Sequence, residues 1–548
     1  MIPKTVRLFT FVLICLFSLA AGAQAFTDSD IPIVMIDSYN NTIVSNTKVP
    51  AHFKLIYNGP NIRNYVTDAP AYEGEIGIEL HGTYSLNFPQ QSYGFELRDT
   101  AGLVFDSTLL DMPSENDWLL INTYNDKAFS RNTLASDLFT HMQGYAPRSR
   151  FCEVVVDGDY RGIYMLGENI KRGRNRVDIA KLDSTEITYP DFSGGYIIKN
   201  DYWSTSDSWQ SNFSPVDHPG YDIHLVYVYP KPQKIIPQQQ NYIQAFINQF
   251  ETALYGTSFS DPQTGYSQYT DELSFVDYFI INELSRNYDG FMHSFYFYKD
   301  KDGSADPRLK CGPVWDFDWA FNNIYVSNCT DFAATNGSGW AYKINDCNAH
   351  SVNSAEWHVR MLQDTSFANL LHCRWEQLRQ GILDTTYLFN HIDSVAAYLN
   401  EAQSRHYARW GHIAANVGGC HVPPVPTTFA GHVSDLKNWL RVRIGWLDNN
   451  IPGNSNNCTL GLNTPSEARF AFAFFPNPAS DHITIEVNGG AGKSWISCYD
   501  VAGKRIFGKP AGPGQFGLDV STLDPGIYIF CLEDGSGKRS FKKLVVAR

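Results

Sequence analysis

The chain has 548 residues, 43% hydrophobic, 14% aromatic and 18% charged, with a formal net charge of −14. That length exceeds what one hydrophobic core organises, so two or more domains are expected. The acidic balance excludes nucleic acid as the main partner, which would require a basic footprint; a nucleotide needs only a local positive site.

Residues 1–25 read as a secretory signal. Lys4 and Arg7 form the basic start, residues 8–19 the apolar run, and Ala23-Gln24-Ala25 the cleavage site, with Ala21-Gly22-Ala23 as the alternative. The apolar run is too short for an anchor, and no later stretch holds 18 uncharged apolar residues, so no membrane span is expected after cleavage. Of the ten cysteines only Cys15 lies in the signal. The others contain no CxxC pair, which argues against zinc. Export permits disulfides. Cys329 and Cys347 flank a Gly/Asn/Ser-rich loop and are the expected pair, with Cys420–Cys458 as a second; Cys152 and Cys311 fall on apolar strands and read as core.

Residues 31–58 alternate as short strands, and residues 75–80 and 92–97 form a strand pair. The connection His81-Gly82-Thr83-Tyr84-Ser85-Leu86-Asn87-Phe88-Pro89-Gln90-Gln91 is a Gly-and-hydroxyl turn of the kind that presents backbone N–H groups to phosphate. A strand over 117–122 precedes an amphipathic helix over 127–142, which carries Arg131-Asn132. Residues 150–156 and 162–168 form a hairpin across Asp157-Gly158-Asp159 and end on Glu168. A basic segment with Lys171, Arg172, Arg174 and Arg176 follows, then a strand over 194–199 ending in Lys199. Two readings stand for these cations. Either Lys199 or Lys171 neutralises phosphates and pairs with Glu168, or they are a strand-end charge and a solvated loop. Residues 203–235 are loop-rich, a lid or an insertion. Helices are expected over 238–255, opened by Pro237, and over 274–285, the second apolar enough to lie in the core.

Residues 287–323 hold the densest chemistry. Aromatic-rich runs over 294–298 and 309–314 flank Lys299-Asp300-Lys301-Asp302-Gly303, the pattern of a β-hairpin. Antiparallel pairing brings Asp289, ahead of the first strand, beside Asp316 and Asp318, just after the second. Wrapped in Trp315, Phe317, Trp319 and Phe321, these carboxylates repel one another unless a cation or proton compensates. One reading is a divalent-metal and phosphate site; the plainer one is turn and capping aspartates. Helices over 357–380, 385–404 and 434–449 follow. His406, Trp410 and His412 read as packing, because no carboxylate or cysteine stands at ligand spacing.

Trp315-Asp316-Phe317-Asp318-Trp319-Ala320-Phe321 resembles the signature of the spore-coat protein H (CotH) family of atypical kinases. Asn287-Tyr288-Asp289 resembles its catalytic loop, Gly162-Ile163-Tyr164-Met165-Leu166-Gly167-Glu168 its Gly-x-Tyr-x-x-x-Glu element, and Arg131-Asn132 its Arg-Asn. Phe367, Arg374-Trp375 and Arg379 resemble its last helices. The likeness spans most of residues 30–450. It departs at the turn, where His81 stands for an expected Arg and Gln90-Gln91 for Lys-Lys. The resemblance implies an α+β fold, a divergent two-lobed protein-kinase-like domain over 26–450.

After a linker over 451–468, residues 469–548 change texture to short alternating strands and turns, an all-β, Ig-like sandwich by pattern. Pro476-Asn477-Pro478, Gly526-Ile527-Tyr528 and Lys542-Lys543-Leu544-Val545-Val546 resemble the C-terminal sorting domain of type IX secretion cargo. That likeness implies the type IX machinery as a partner, passage through the periplasm to the outer surface or the medium, and a mature chain beginning near Phe26 that has lost most of residues 470–548.

The kinase resemblance implies transfer of phosphate from ATP to hydroxyls of a protein substrate with Mg²⁺ or Mn²⁺. Asp289 would be the proton acceptor, Asp316 and Asp318 the metal ligands, and Glu168, Lys171, Lys199 and Arg131 the nucleotide-binding residues. A kinase loop often supplies Asn five residues after its base; here that residue is Ser294. The alternative is a catalytically inactive pseudokinase, a secreted or cell-surface binding protein. A third reading is a calcium-stabilised structural domain.

Overall fold

Short apolar strands between residues 33 and 168, some alternating and some buried along most of their length, build the first architecture. In this computed structural model, which describes residues 26–347, 351–417, 422–455, 458, 471–476, 479–488, 494–500, 505–512, 514–533 and 539–547, seven strands close into a barrel. They run Ile33–Asp37, Val49–Ile56, Tyr72–His81, Ser92–Arg98, Asp117–Asn122, Asp159–Glu168 and Ser149–Val156 around the wall. The first strand closes the barrel by pairing in parallel with the last of these, Ile33 against Glu153 through Ile36 against Val156. Phe53, Ile78, Phe95, Trp118, Val154 and Tyr164 fill the interior with Cys152. Each side chain buried this way contributes about 1.5–3 kcal/mol. The expected signal over 1–25, Cys420, and Asn477 and Pro478 lie outside the described residues.

The chain divides into two compact units between residues 456 and 457. The rest of the first unit is helical around a five-stranded sheet. Its order is Ser208–Gln210, His224–Tyr229, Tyr196–Asn200, Phe295–Lys299 and Lys310–Cys311. Helix Glu272–Ser285 is buried without interruption from Ser274 to Ser285, as an apolar helix packed on all sides must be. The helix expected over 127–142 begins instead at Arg131, because Asp126 accepts the N–H groups of Ala128 and Arg131 and winds residues 127–130 into a turn. The long helix expected over 357–380 breaks into Trp357–Met361 and Thr365–Arg379, where Asp364 caps the second by accepting from Ser366 N–H at 2.8 Å.

Cys329 and Cys347 are joined as a disulfide; Cys373 and Cys458 are disulfide-bonded as well. Cys152 and Cys311 are free and buried. His406 accepts the Ile163 N–H at 3.2 Å, and His412 donates to the Tyr124 carbonyl at 3.0 Å while stacking on its ring at 4.1 Å. Both are packing residues. Among the described residues no helix is long and apolar enough to cross a membrane.

The second unit is all β. Strands Ala471–Phe475, His482–Asn488 and Gly514–Asp519 form one antiparallel sheet; Arg505–Ala511, Ser494–Asp500, Gly526–Glu533 and Arg539–Val546 form the other. Ile485 and Leu518 of the first share one core with Cys498, Phe530 and Leu544 of the second.

Candidate active site

Helix Glu272–Ser285 fixes Asp289. The helix stops where Arg286 takes the left-handed conformation, φ 44°. Asn287 then bonds back to Asn282 twice, backbone N–H to carbonyl at 2.9 Å and side chain to side chain at 3.1 Å. A Cβ on Gly290 would lie 2.1 Å from Asn282 Oδ1, so only glycine lets the loop pack this closely. Tyr278 Oη donates to the Gly290 carbonyl at 2.7 Å. His293 completes the turn, donating its backbone N–H to the Asp289 carbonyl at 2.8 Å and placing Nδ1 3.1 Å from Asp289 Oδ1.

The hairpin forms as its pattern requires, with Phe297 opposite Cys311 and Tyr298 opposite Lys310. Its second strand is only Lys310–Cys311, since Pro313 has no N–H to continue the ladder. The chain then turns through Asp316 at φ 64°, a region few non-glycine residues adopt. Its neighbours are tied down: Asn132 Oδ1 accepts the Phe317 N–H at 2.7 Å, and the Asp318 carbonyl accepts from Asn125 at 3.2 Å. Arg131 donates to the Ala320 carbonyl at 3.1 Å and pairs with Asp126 at 2.5 Å. The Arg131-Asn132 step therefore clamps the backbone of the carboxylate motif. Arg131 is buried and does not itself line the cleft.

Asp289, Asp316 and Asp318 line one cleft of about 1100 Å³ between the barrel and the five-stranded sheet, together with His81, Ser85, Arg148, Glu168, Lys199, Asp201, His293 and Ser294. Protein surrounds the cleft, although Asp316 itself faces the water within it. Burial first, then the charges of Asp318 and Asp289, push the Asp316 carboxyl well above the usual range. Burial also raises Asp318, opposed by a hydrogen bond from Asp316. Asp318 Oδ1 is buried and has no partner. An orphaned carboxylate oxygen beside a second carboxylate fits a divalent cation. Among the described residues no three His, Cys, Asp or Glu side chains gather closely enough to hold an ion alone.

The cations divide. Lys199 lines the cleft with Nζ 2.8 Å from Asp201 and 5.6 Å above the Tyr296 ring; burial works against its charge, but Tyr296 and Asp201 push its pKa up. Lys171 does not line the cleft and pairs with Glu115 at 2.8 Å. Glu168 pairs with neither lysine. Its side chain is fully buried and held by Arg148, at 2.7 Å and 3.0 Å through the guanidinium and at 3.0 Å through the backbone N–H. Arg148, Asp201 and His293 are among the cleft residues that the motifs did not single out. Counting residues outward from Asp157-Gly158 could have found Arg148, but a register shift between Val154 and Val155 hides the pairing.

The Gly-and-hydroxyl turn stands over the carboxylates, with Tyr84 packed edge-on against Trp319 at 5.6 Å. Gly82 sits at φ 103°, where a Cβ would meet Ser85 Oγ at 2.1 Å. His81 faces the cleft, and burial, reinforced by the Lys199 charge, lowers its pKa, so it stands there neutral. Gln90 turns into the core and donates to the Ile163 carbonyl at 2.8 Å; Gln91 donates to the Leu86 carbonyl at 3.3 Å. Neither lines the cleft.

Fold and site together define an α+β protein with one acidic cleft, its carboxylates facing two anchored cations, and an all-β module at its C-terminus. The chain belongs to the CotH kinase protein family, whose profile matches residues 78–447. A secretion system C-terminal sorting domain matches residues 473–547. The protein is therefore exported, to the cell surface or beyond it, as type IX cargo. A search of curated proteins finds no match.

Proposed function

We propose that this is a secreted atypical protein kinase that transfers phosphate from ATP to protein hydroxyls, with the barrel and the helical half serving as the two lobes of a divergent kinase. The observation that carries the reading is the unpartnered Oδ1 of Asp318 beside Asp316, in the same cleft as Asp289 and two charge-anchored cations. Lys199 and Arg148 are held by Asp201 and Glu168, so each can present its remaining N–H groups to phosphate oxygens without reorganising. The turn from Gly82 to Ser85 closes the cleft from the barrel side. Asp289, fixed on its packed loop, accepts the proton of the acceptor hydroxyl. Mg²⁺ or Mn²⁺, held by Asp316 and Asp318, would neutralise and align the phosphates.

Ser294 favours the pseudokinase reading. It lies in the cleft five residues beyond Asp289 and offers a poor metal ligand. Thermal melting of the full chain with ATP and Mg²⁺, Mn²⁺ or Ca²⁺ separates the readings, because only native-state binding raises the midpoint. A shift that needs both ATP and Mg²⁺ or Mn²⁺, together with labelled phosphate on protein, supports the kinase. A nucleotide shift without transfer supports the pseudokinase, and a shift with Ca²⁺ alone defeats both.

A further inference from the structure

We propose that His293 is a positioning residue for Asp289, setting which carboxylate oxygen receives the proton of the acceptor hydroxyl; the inference rests on the kinase reading above. The Nδ1 of His293 lies 3.1 Å from Asp289 Oδ1. A carboxylate only accepts, so Nδ1 carries the hydrogen and donates it. The other ring nitrogen, Nε2, is buried without a partner. No second hydrogen bond selects the tautomer, and the polar chemistry of this imidazole is directed at Asp289 alone. The ring is also kept from turning. Tyr202 stacks on it at 4.6 Å and 23°, and the backbone N–H of His293 is bonded to the Asp289 carbonyl at 2.8 Å.

The consequence falls on the carboxylate. The terminal torsion of an aspartate is broad and two-fold, so an untethered Asp289 would spread its oxygens over many directions. The imidazole N–H occupies Oδ1 and leaves Oδ2 as the acceptor in the cleft. In the transfer, the hydroxyl oxygen bonds to the γ-phosphorus of ATP. The bond from that phosphorus to the β–γ bridging oxygen breaks, and ADP leaves with the electron pair. The hydroxyl proton passes to Oδ2 of Asp289. Protonated there, Asp289 still accepts from His293 through Oδ1, so the bond holds through the step and the carboxyl need not rotate.

The test uses the full chain and three substitutions. Transfer is measured from γ-labelled ATP to a library of serine- and threonine-bearing peptides, alongside ATP affinity. His293→Ala should lower kcat about 10²-fold, the scale of a displaced catalytic group, and leave ATP affinity and KM unchanged. His293→Asn places an amide N–H where Nδ1 stood and should recover most of the rate. His293→Gln reaches the place of Nε2 and should not. Imidazole NMR of the wild type should show the His293 proton on Nδ1. Equal losses in the Asn and Ala variants, or a proton on Nε2, overturn the inference while the kinase reading stands. A wild type that transfers phosphate to no hydroxyl overturns both.

Discussion

Two charge clusters flank the loop that carries Asp289, one in the core and one in the cleft, and they are built in opposite ways. Glu283 and Arg443 are both 0% exposed and lie 3.0 Å apart. Glu283 also accepts the N–H groups of Ala341 and Tyr342 at 3.0 Å and 2.7 Å, while Arg443 donates to the carbonyls of Gly337, Gly339 and Glu283. Every polar atom of that pair has a partner. Asp316 and Asp318 set two carboxylates against each other and leave an orphaned oxygen on Asp318. Charge that is fully satisfied holds a fold together; charge left short in a cleft is reserved for a ligand.

The largest effect should come from breaking the satisfied cluster. Arg443→Met strands the Glu283 carboxylate in the core and should destabilise the first unit by about 3–5 kcal/mol, read as the urea midpoint. A change below about 1 kcal/mol would mean that water reaches Glu283. Next comes the covalent tie of the same loop region. Replacing Cys329 and Cys347 by Ser opens an 18-residue loop and should remove about 3 kcal/mol. Residues 325–328, immediately before Cys329, line the cleft, so ATP affinity should weaken with it.

A third buried carboxylate sharpens the comparison through pH. Burial lifts Glu251 to about 7, against opposing hydrogen bonds from Ser211 and Trp357. An unfolded glutamate loses its proton near 4.5. Between these values the folded state holds a proton that the unfolded state has released, so stability should fall as pH rises through that window and level off above it. Urea midpoints for wild type and Glu251→Gln across pH 4 to 8 would show it; an equal slope in both would assign it elsewhere. The smallest effect has the opposite sign. Asp316→Asn removes one of two mutually repelling carboxylates and should stabilise the ligand-free protein by about 1 kcal/mol, the stability that a functional site gives up. Destabilisation would make Asp316 a structural turn residue.

The comparison also shows what was legible in the sequence. Short-range pattern sufficed for the hairpin over 294–314, for the convergence of Asp289, Asp316 and Asp318, and for the Cys329–Cys347 disulfide across its polar loop. It failed where partners come from far along the chain. Closure of the barrel depends on Ile33 meeting Glu153, which alternation cannot reveal. Lys171 was drawn to Glu115 and Arg131 to Asp126, carboxylates that no motif marks. Glu168 found Arg148 rather than a lysine because the strand register, not residue type, sets who stands opposite. Gln90 looked like a lost cation, and its burial on the Ile163 carbonyl makes it a core tether.

The most direct test of the central claim is calorimetric titration of the full chain with ATP, with and without Mg²⁺, for wild type and Asp316→Asn. The account predicts that wild type binds ATP tightly only when Mg²⁺ is present, and that Asp316→Asn loses this metal-dependent gain while keeping the weak metal-free binding supplied by Lys199 and Arg148. Wild-type affinity unchanged by Mg²⁺, or an Asp316→Asn variant that responds to Mg²⁺ as wild type does, would contradict it.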